Sequence, residues 1–318
     1  MTLPLASESR ADHIAAVVVE LRAFFAHHEG YATLREQFEI LLAERRAALA
    51  AGRPVEARGI AVIGDTGSGK TTAVRHLLRS YLPGAGEATA EVASFQVPSP
   101  ATLKHVGHEL LNALGYPMNR LPTTAIIWDK VRFHLRERQV KFLHLDEAQD
   151  LAISQSDREK IAVVNTLKSL MQNNSWPVGL ILSGMPDLRS MLNMDPQLAR
   201  RFHPVEFQPI SAARSGGNIM QIVHAYGAKA CLETASGLGE REFLERLVQA
   251  SAHEFGRMIE LIVNAIRERL YAGGATLEAG DFAAAFRRST GVVDGVNPFI
   301  ADQFQHLDAR MLRGGVEL

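Results

Sequence analysis

The sequence predicts an α/β protein with a mostly parallel sheet, helices on both faces of that sheet, and a second domain made of helices alone. Two observations carry this prediction. Short apolar runs alternate with amphipathic helical stretches up to about residue 212, as in strands joined by helical crossovers. From about Arg214 onward only helical periodicity remains. The predicted divisions are a helical segment (1–57), a core (58–212), a helical domain (213–290) and a tail (291–318).

The elements follow from apolar periodicity and from the residues that stop it. Two N-terminal helices are predicted at 15–25 and 34–42, with Gly30 between them. Strands are predicted at 59–64, 90–97, 140–145, 178–182 and 205–210. The helices between them are predicted at 71–81, 103–114, 123–138, 161–173 and 187–194. Four more helices are predicted at 219–235, 240–251, 254–270 and 279–288.

The composition is that of a globular protein, with 47% hydrophobic and 22% charged residues among 318. The 34 Lys and Arg residues nearly balance the 35 Asp and Glu residues, so a site for a polyanion has to be a local patch. The one cysteine, Cys231, excludes a disulfide framework and a thiolate zinc site. No apolar run approaches the roughly 20 residues that cross a bilayer, and the first residues lack a signal core. We therefore expect a cytoplasmic protein without a membrane partner.

A phosphate-binding loop follows the first predicted strand and opens the next helix. It matches the pattern G-x-x-x-x-G-K-[ST] at every fixed position. Its residues are Gly64, Asp65, Thr66, Gly67, Ser68, Gly69, Lys70 and Thr71. Glycines allow backbone N–H groups to curl around phosphate oxygens, and the helix N-terminus favours the same anion. In this pattern Lys70 bridges the β- and γ-phosphates of ATP and Thr71 binds Mg²⁺.

A second motif, a pair of acidic residues, follows the predicted strand at 140–145. Asp146 is suited to hold Mg²⁺, and Glu147 is placed to orient and deprotonate the attacking water. Without the phosphate loop the same pair would suit a capped turn. His144 interrupts the apolar run and is interpreted as a hydrogen-bonded core histidine rather than a catalytic residue.

Further polar residues follow the later strands. Ser183 either contacts the γ-phosphate or the attacking water, or is a simple turn residue. Arg200 and Arg201 precede the last strand, where an arginine can act across a subunit boundary on the transferring phosphoryl group. The alternative is a surface arginine pair. Arg257, in the helical domain, could reach the phosphates.

Together these residues resemble the AAA+ ATPases and, among them, the TniB/TnsC transposition regulators, which bind target DNA and recruit a transposase. The resemblance spans roughly residues 30 to 290. It rests on Gly64 to Thr72, Phe95 to Pro98, Leu143 to Asp150, Leu182 to Leu188 and Leu198 to Phe202. It implies an AAA+ P-loop NTPase fold with a C-terminal helical lid, bound ATP and Mg²⁺, and slow, regulatory hydrolysis. By position, Thr72 belongs to the nucleotide site and Arg201 is the trans-acting arginine, with Arg200 beside it.

The resemblance also implies partners. Family members grip double-stranded DNA from two helices that face a central channel, where Lys104 and Thr123 match the contacting positions and Arg120 lies close by. Such groups suit backbone phosphates and do not read base edges, so binding should be sequence-independent. Without the resemblance, Lys104 and Arg120 suit ordinary solvated surface.

Self-assembly into a hexameric ring or helical filament, a DDE-type transposase and a target-selection adaptor are implied as well. The Asn297-Pro298-Phe299 segment is a candidate docking point, or else a loop that packs one aromatic residue. Two alternatives stay open. One is an AAA+ ATPase that acts on a protein, as in secretion. The other is a signalling ATPase that only senses nucleotide.

Overall fold

A computed structural model describes residues 9–53, 55–82, 91–118, 122–152 and 156–314. The helices are α1 (Arg10–Ala23), α2 (Glu29–Ala50), α3 (Lys70–Leu78), α4 (Leu103–Ala113), α5 (Thr124–Glu137), α6 (Asp157–Met171), α7 (Asp187–Asn193), α8 (Pro196–Ala199), α9 (Ala212–Lys229), α10 (Arg241–Ala250), α11 (Phe255–Ala272) and α12 (Ala279–Thr290). The strands are β1 (Gly59–Ile63), β2 (Val92–Gln96), β3 (Phe142–Asp146), β4 (Gly179–Gly184), β5 (Phe202–Glu206), β6 (Glu233–Thr234) and β7 (Thr276–Leu277).

The chain divides into two compact units. The core unit comprises residues 29–66 and 70–208, and the helical unit comprises residues up to 28, residues 67–69 and residues from 209 onward. The predicted N-terminal segment contributes to both, since α1 belongs to the helical unit and α2 to the core unit.

The core unit contains the predicted parallel sheet. Its strands run in the order β2-β3-β4-β1-β5, and all of the pairs are parallel. Strands β1, β3 and β4 are buried along their whole length, which explains why apolar residues predominate on both of their faces. The carboxyl ends of β1, β3 and β4 therefore meet at one edge of the sheet, where ligands bind in open α/β folds.

The two faces of the sheet carry different side chains. Leu143, Leu145 and Leu182 point into a core shared with α4 to α7. The alternate residues of β3 face α2 and α3, as shown by Phe142, whose ring lies 5.5 Å from that of Phe38 in α2. Because side chains alternate along a strand, His144 and Asp146 share this second face with Phe142.

The helical unit packs α1 and α9 to α12 around its own apolar core. It also contains a short parallel pair of strands, β6 and β7, that the sequence analysis did not predict. The tail packs against this unit: Phe299 lies 5.7 Å from the ring of Phe282, and buried Asn297 donates from Nδ2 to Ala283 O at 2.9 Å. Of the two alternatives for the segment 297–299, a docking point or a loop that packs one aromatic residue, the contacts of Phe299 match the second. None of the helices in the described ranges has the length and apolar character that a bilayer crossing needs.

Several element boundaries differ from the predictions, for local reasons. Helix α6 begins at residue 157, four residues early, because Ser156 and Glu159 form a capping box. Helix α9 begins at residue 212 and contains three glycines, and Gly30 lies inside α2. The last strand covers Phe202–Glu206 and includes Pro204, which an edge strand tolerates because one row of its backbone groups is unpaired.

Glycine is required at the start of β1. A Cβ added to Gly59 would lie 2.4 Å from Leu180 O in the neighbouring strand. We expect Gly59→Ala to lower the free energy of unfolding of the core unit by about 3 kcal/mol, since backbone has to shift. The matched control is Gly217→Ala in α9, where a Cβ meets nothing within 4 Å and should stabilise the helix by roughly 1 kcal/mol. Thermal unfolding midpoints measure both changes, and a wild-type midpoint for Gly59→Ala would contradict this account of the strand spacing.

Candidate functional site

The phosphate loop lies between β1 and α3. Gly67 and Gly69 have φ values of +89° and +91°, a backbone region that favours glycine. Successive N–H groups in such a loop form an anion-binding concavity. Lys70 is buried and donates from Nζ to Asp65 O at 2.9 Å, so its ammonium is folded over the loop. Ser68 is also buried, whereas Thr72 is exposed on the first turn of α3.

Asp146, at the end of β3, is the centre of a hydrogen-bond cluster. Its Oδ1 accepts from Thr71 Oγ1 at 3.3 Å, from Ser183 Oγ at 2.7 Å and from the Glu147 backbone N–H at 3.2 Å. Its Oδ2 lies 4.0 Å from Arg75 Nη2. The fold thus brings together Thr71 and Asp146, the two predicted Mg²⁺ ligands. A hydroxyl and a carboxylate beside a phosphate loop are the oxygen donors that Mg²⁺ takes, so these residues fit the ion.

His144 connects to this cluster through Ser183. The Nδ1 atom of His144 lies 2.8 Å from Ser94 Oγ, and its Nε2 atom lies 2.8 Å from Ser183 Oγ. Burial lowers the pKa of His144 to about 4, so the imidazole is neutral near pH 7. Both ring nitrogens of this core histidine are paired, as the sequence interpretation required. The sequence analysis did not predict that one of these two partners, Ser183, also donates a hydrogen bond to Asp146.

These contacts determine which acceptor the hydroxyl proton of Ser183 points to. Ser183 is fully buried, and its hydroxyl donates to Asp146 Oδ1 at 2.7 Å. The same oxygen must then accept from His144 Nε2–H, which leaves Nδ1 to accept from Ser94. The proton of Ser183 is thus directed at Asp146 rather than at solvent.

Glu147 has an unusual backbone conformation, with φ 54° and ψ 40°. Its Oε2 accepts from Gln149 Nε2 at 2.8 Å, and Gln149 Oε1 accepts from the Met185 backbone N–H at 3.1 Å. Buried Gln149 therefore links the carboxylate of Glu147 to the loop after β4. The sequence analysis missed Gln149, although an amide two residues beyond an acidic pair is a visible signal.

The two adjacent arginines have different surroundings. Arg201 is only 4% exposed, donates from Nε to Glu56 Oε1 at 2.7 Å and also bonds Gln197 O. Its hydrogen bond lowers the pKa of the Glu56 carboxyl below its usual range. Arg200, the next residue back, is exposed. The arginine that the resemblance favours is thus held within its own chain, and its neighbour is the one that solvent reaches.

Arg257 lies in α11, which belongs to the helical unit. Residues 67–69 group with the helical unit, in which the Gly256 backbone N–H donates to Gly67 O at 2.8 Å. A Cβ added to Gly67 would lie 2.9 Å from Arg257 Nε. The half-buried Arg257 thus lies next to a residue of the loop whose phosphates it was expected to reach.

The predicted DNA contacts lie at the N-termini of α4 and α5. Trp128, in α5, donates from Nε1 to Leu103 O at 3.0 Å, while Tyr116, after α4, stacks on His134 with centroids 3.4 Å apart. Because the N-terminal halves of α4 and α5 contact each other, and the C-terminal end of α5 contacts the residue Tyr116 after α4, the two helices run parallel. Exposed Lys104 and Thr123 are therefore at the same end, and Arg120 lies outside the described residues. The Thr123 side chain makes no capping hydrogen bond.

Three comparisons with known proteins bear on this site. A family model described as bacterial TniB protein matches residues 27–212, more than half of the chain. Among proteins with curated annotation, none matches.

Solved structures share the fold at low sequence identity. Cdc6p from Pyrobaculum aerophilum has a TM-score of 0.55 at 20% identity, over 80% of this chain and 65% of that one, so this chain spans less than two thirds of its length. The ORC1 protein of Aeropyrum pernix in complex with DNA has a TM-score of 0.58 at 14% identity, over 86% and 69%. The ORC2 protein of the same organism, in ADPNP-ADP complexes, has a TM-score of 0.57 at 15% identity, over 81% and 68%. The expected fold class, an AAA+ P-loop NTPase with a parallel sheet and a helical C-terminal region, is confirmed.

Proposed function

Because this chain belongs to the bacterial TniB family, we propose that it is an ATP-dependent, DNA-binding AAA+ regulator of transposition. It assembles on target DNA with little sequence preference and recruits a DDE-type transposase, with a target-selection adaptor as a further partner. The observation that carries this proposal is the meeting of the phosphate loop, the Thr71–Asp146 pair and Glu147 at one edge of the sheet.

The chemistry assigned to this edge is hydrolysis of the γ-phosphate of ATP. The loop N–H groups and Lys70 would bind the phosphates beside the N-terminus of α3. Thr71 and Asp146 would hold Mg²⁺, which would supply positive charge against the phosphate oxygens. Glu147 accepts a proton from the attacking water, and Gln149 keeps its carboxylate in place. Arg257 is proposed to sense the phosphates.

The trans-acting arginine is assigned to Arg200. A guanidinium that serves the nucleotide of a neighbouring subunit has to extend from the surface, and Arg200 is exposed. Arg201 would have to abandon Glu56 and its buried position first. We therefore give Arg201 the supporting part, in which it fixes the turn that presents Arg200.

DNA is proposed to bind at the parallel N-termini of α4 and α5. The N-terminus of each helix carries the positive end of its dipole, which favours backbone phosphates. Lys104 adds a cation and Thr123 a hydroxyl. A chain with a net charge of -1 can still hold DNA when many subunits each contribute a few phosphate contacts along a ring or filament.

Nucleotide-dependent assembly on DNA tests this function. Wild-type protein is mixed with plain duplex DNA and with ATP, a non-hydrolysable analogue, ADP or no nucleotide, and is examined by sedimentation and electron microscopy. We expect oligomers on DNA with the triphosphates alone, and none for Lys70→Ala. Equal DNA binding in all four conditions would refute the proposal. ATPase activity that a protein stimulates and DNA does not would favour the alternative, an ATPase acting on a protein partner.

Charge reversal at Lys104 tests the DNA surface. We expect Lys104→Glu to weaken DNA binding about tenfold or more at low salt, because each subunit loses a phosphate contact and gains a repulsion. The salt dependence should also become shallower. The charge-matched control is Lys229→Glu in the last turn of α9, which belongs to the helical unit, and fluorescence anisotropy measures both. Equal affinities for Lys104→Glu and wild type would remove α4 from the DNA surface.

A further inference from the structure

We propose that His144 is a positioning residue for the metal-binding carboxylate, and that it acts on Asp146 through the hydroxyl of Ser183. The inference rests on the proposed nucleotide site and extends it to two side chains, His144 and Ser94, that the phosphate and metal motifs do not include. Its basis is a row of four hydrogen-bonded groups that crosses three neighbouring strands, from Ser94 in β2 to Ser183 in β4.

The register of the sheet makes this row possible. Ser94 pairs with His144 between β2 and β3, and Leu145 pairs with Leu182 between β3 and β4, which puts Ser183 level with Asp146. Side chains at paired positions of parallel strands point to the same face. An imidazole is long enough to reach from its own position to the next polar group on each side, at 2.8 Å in both directions.

The hydrogen bonds between His144 and Asp146 have one direction. Ser183 Oγ–H donates to Asp146 Oδ1, so Ser183 Oγ accepts from Nε2–H of His144, and Nδ1 of His144 lies 2.8 Å from Ser94 Oγ. A serine hydroxyl rotates to suit its surroundings, so Ser183 alone could direct its proton elsewhere. With Nε2–H of His144 beside one lone pair, the hydroxyl is left with Asp146 as its acceptor.

The effect on Asp146 is to distinguish its two oxygens. The three bonds from Thr71, Ser183 and the Glu147 backbone converge on Oδ1. Oδ2 is left facing Arg75, whose Nη2 is 4.0 Å away. A carboxylate held by one oxygen cannot rotate about its terminal bond, so the other oxygen keeps its direction. Groups behind a ligand that fix its orientation commonly change metal affinity by 10- to 100-fold when removed.

The position of His144 argues against a purely structural role. The residue is 1% exposed in a strand whose five residues are all buried, and leucines flank it on both sides. An aliphatic side chain at this site would need no hydrogen-bond partners, whereas a buried imidazole costs free energy unless both nitrogens are paired. Here the two partners exist, and one of them bonds the carboxylate that the metal needs.

The test compares two amides at this position. In His144→Gln the amide reaches as far as Nε2 and can still donate to Ser183, whereas the shorter amide of His144→Asn reaches only as far as Nδ1. Both variants keep a polar side chain in the strand. The measurement is the Mg²⁺ concentration that half-saturates the metal-dependent binding of a fluorescent ATP analogue. Binding of the same analogue in EDTA and the thermal unfolding midpoint are recorded for each variant.

We expect His144→Asn to raise the half-saturating Mg²⁺ concentration roughly tenfold, with nucleotide affinity in EDTA unchanged, and His144→Gln to restore it to within about twofold of wild type. Ser183→Ala should raise it similarly. Adding His144→Asn to Ser183→Ala should then cause no further change, because both act along one path.

Three results would overturn the inference. The first is a wild-type Mg²⁺ requirement in His144→Asn. The second is equal defects in the Asn and Gln variants, which would indicate a structural role. The third is additive effects of the two substitutions. If wild-type protein binds nucleotide, these three outcomes contradict the inference about His144 and leave the proposed function intact. If wild-type protein binds no nucleotide, the inference and the proposed function are both wrong.

Discussion

Glu147→Gln is expected to slow ATP hydrolysis by about 100-fold or more while ATP and DNA binding persist. The substitution keeps the shape of the side chain but removes the oxygen that takes the proton of water, and a positioned general base is worth roughly 10² to 10⁴ in rate. Since oligomers on DNA are expected with the triphosphates alone, assemblies that keep their ATP should become longer and more persistent. Phosphate release and electron microscopy measure the two effects.

The neighbouring carboxylate provides the control. Asp150 lies in the same turn, accepts from Gln149 Nε2 at 3.3 Å, and has its pKa raised by burial. Asp150→Asn also removes one carboxylate, yet we expect the hydrolysis rate to change by less than about fivefold, because the proposed mechanism assigns Asp150 no proton transfer. Normal turnover in Glu147→Gln would show that the base is another group.

The adjacent arginines give the second large effect. We expect Arg200→Ala to reduce hydrolysis in the assembled state by about 10³-fold, because a trans-acting arginine contributes 10³ or more in related chemistry. Its thermal stability should match that of wild type, since the side chain is exposed. Mixing Arg200→Ala with Glu147→Gln subunits should recover part of the activity, because some interfaces then combine an intact Arg200 with an intact Glu147.

Arg201→Ala should behave in the opposite way. It removes a buried guanidinium that bonds Glu56 and Gln197 O, and hydrogen bonds to charged groups are worth about 1.5 to 3 kcal/mol each before relaxation. We therefore expect a lower unfolding midpoint, and a loss of activity that follows the loss of folded protein. A stable Arg201→Ala variant with no hydrolysis, alongside a fully active Arg200→Ala variant, would return the trans-acting role to Arg201.

The phosphate loop and the acidic motif could be predicted from sequence because each is a contiguous pattern. Lys70 and Thr71 are fixed by loop spacing, and Asp146 and Glu147 by the strand before them. The parallel sheet followed in the same way from its buried apolar runs. Boundaries were less accurate where a cap or a tolerated glycine decided them, as at the start of α6 and within α9.

The sequence by itself determined the fold class, the phosphate loop and the pair of carboxylates, because local hydrogen bonding and apolar periodicity specify them within a few consecutive residues. Only the tertiary structure decided which arginine is buried, which amide holds Glu147 and what His144 contacts. Those features depend on strand register and on partners up to 145 residues apart in the chain, as for Arg201 and Glu56. Sequence spacing carries no record of such distances, since they are set when the sheet and its helices pack.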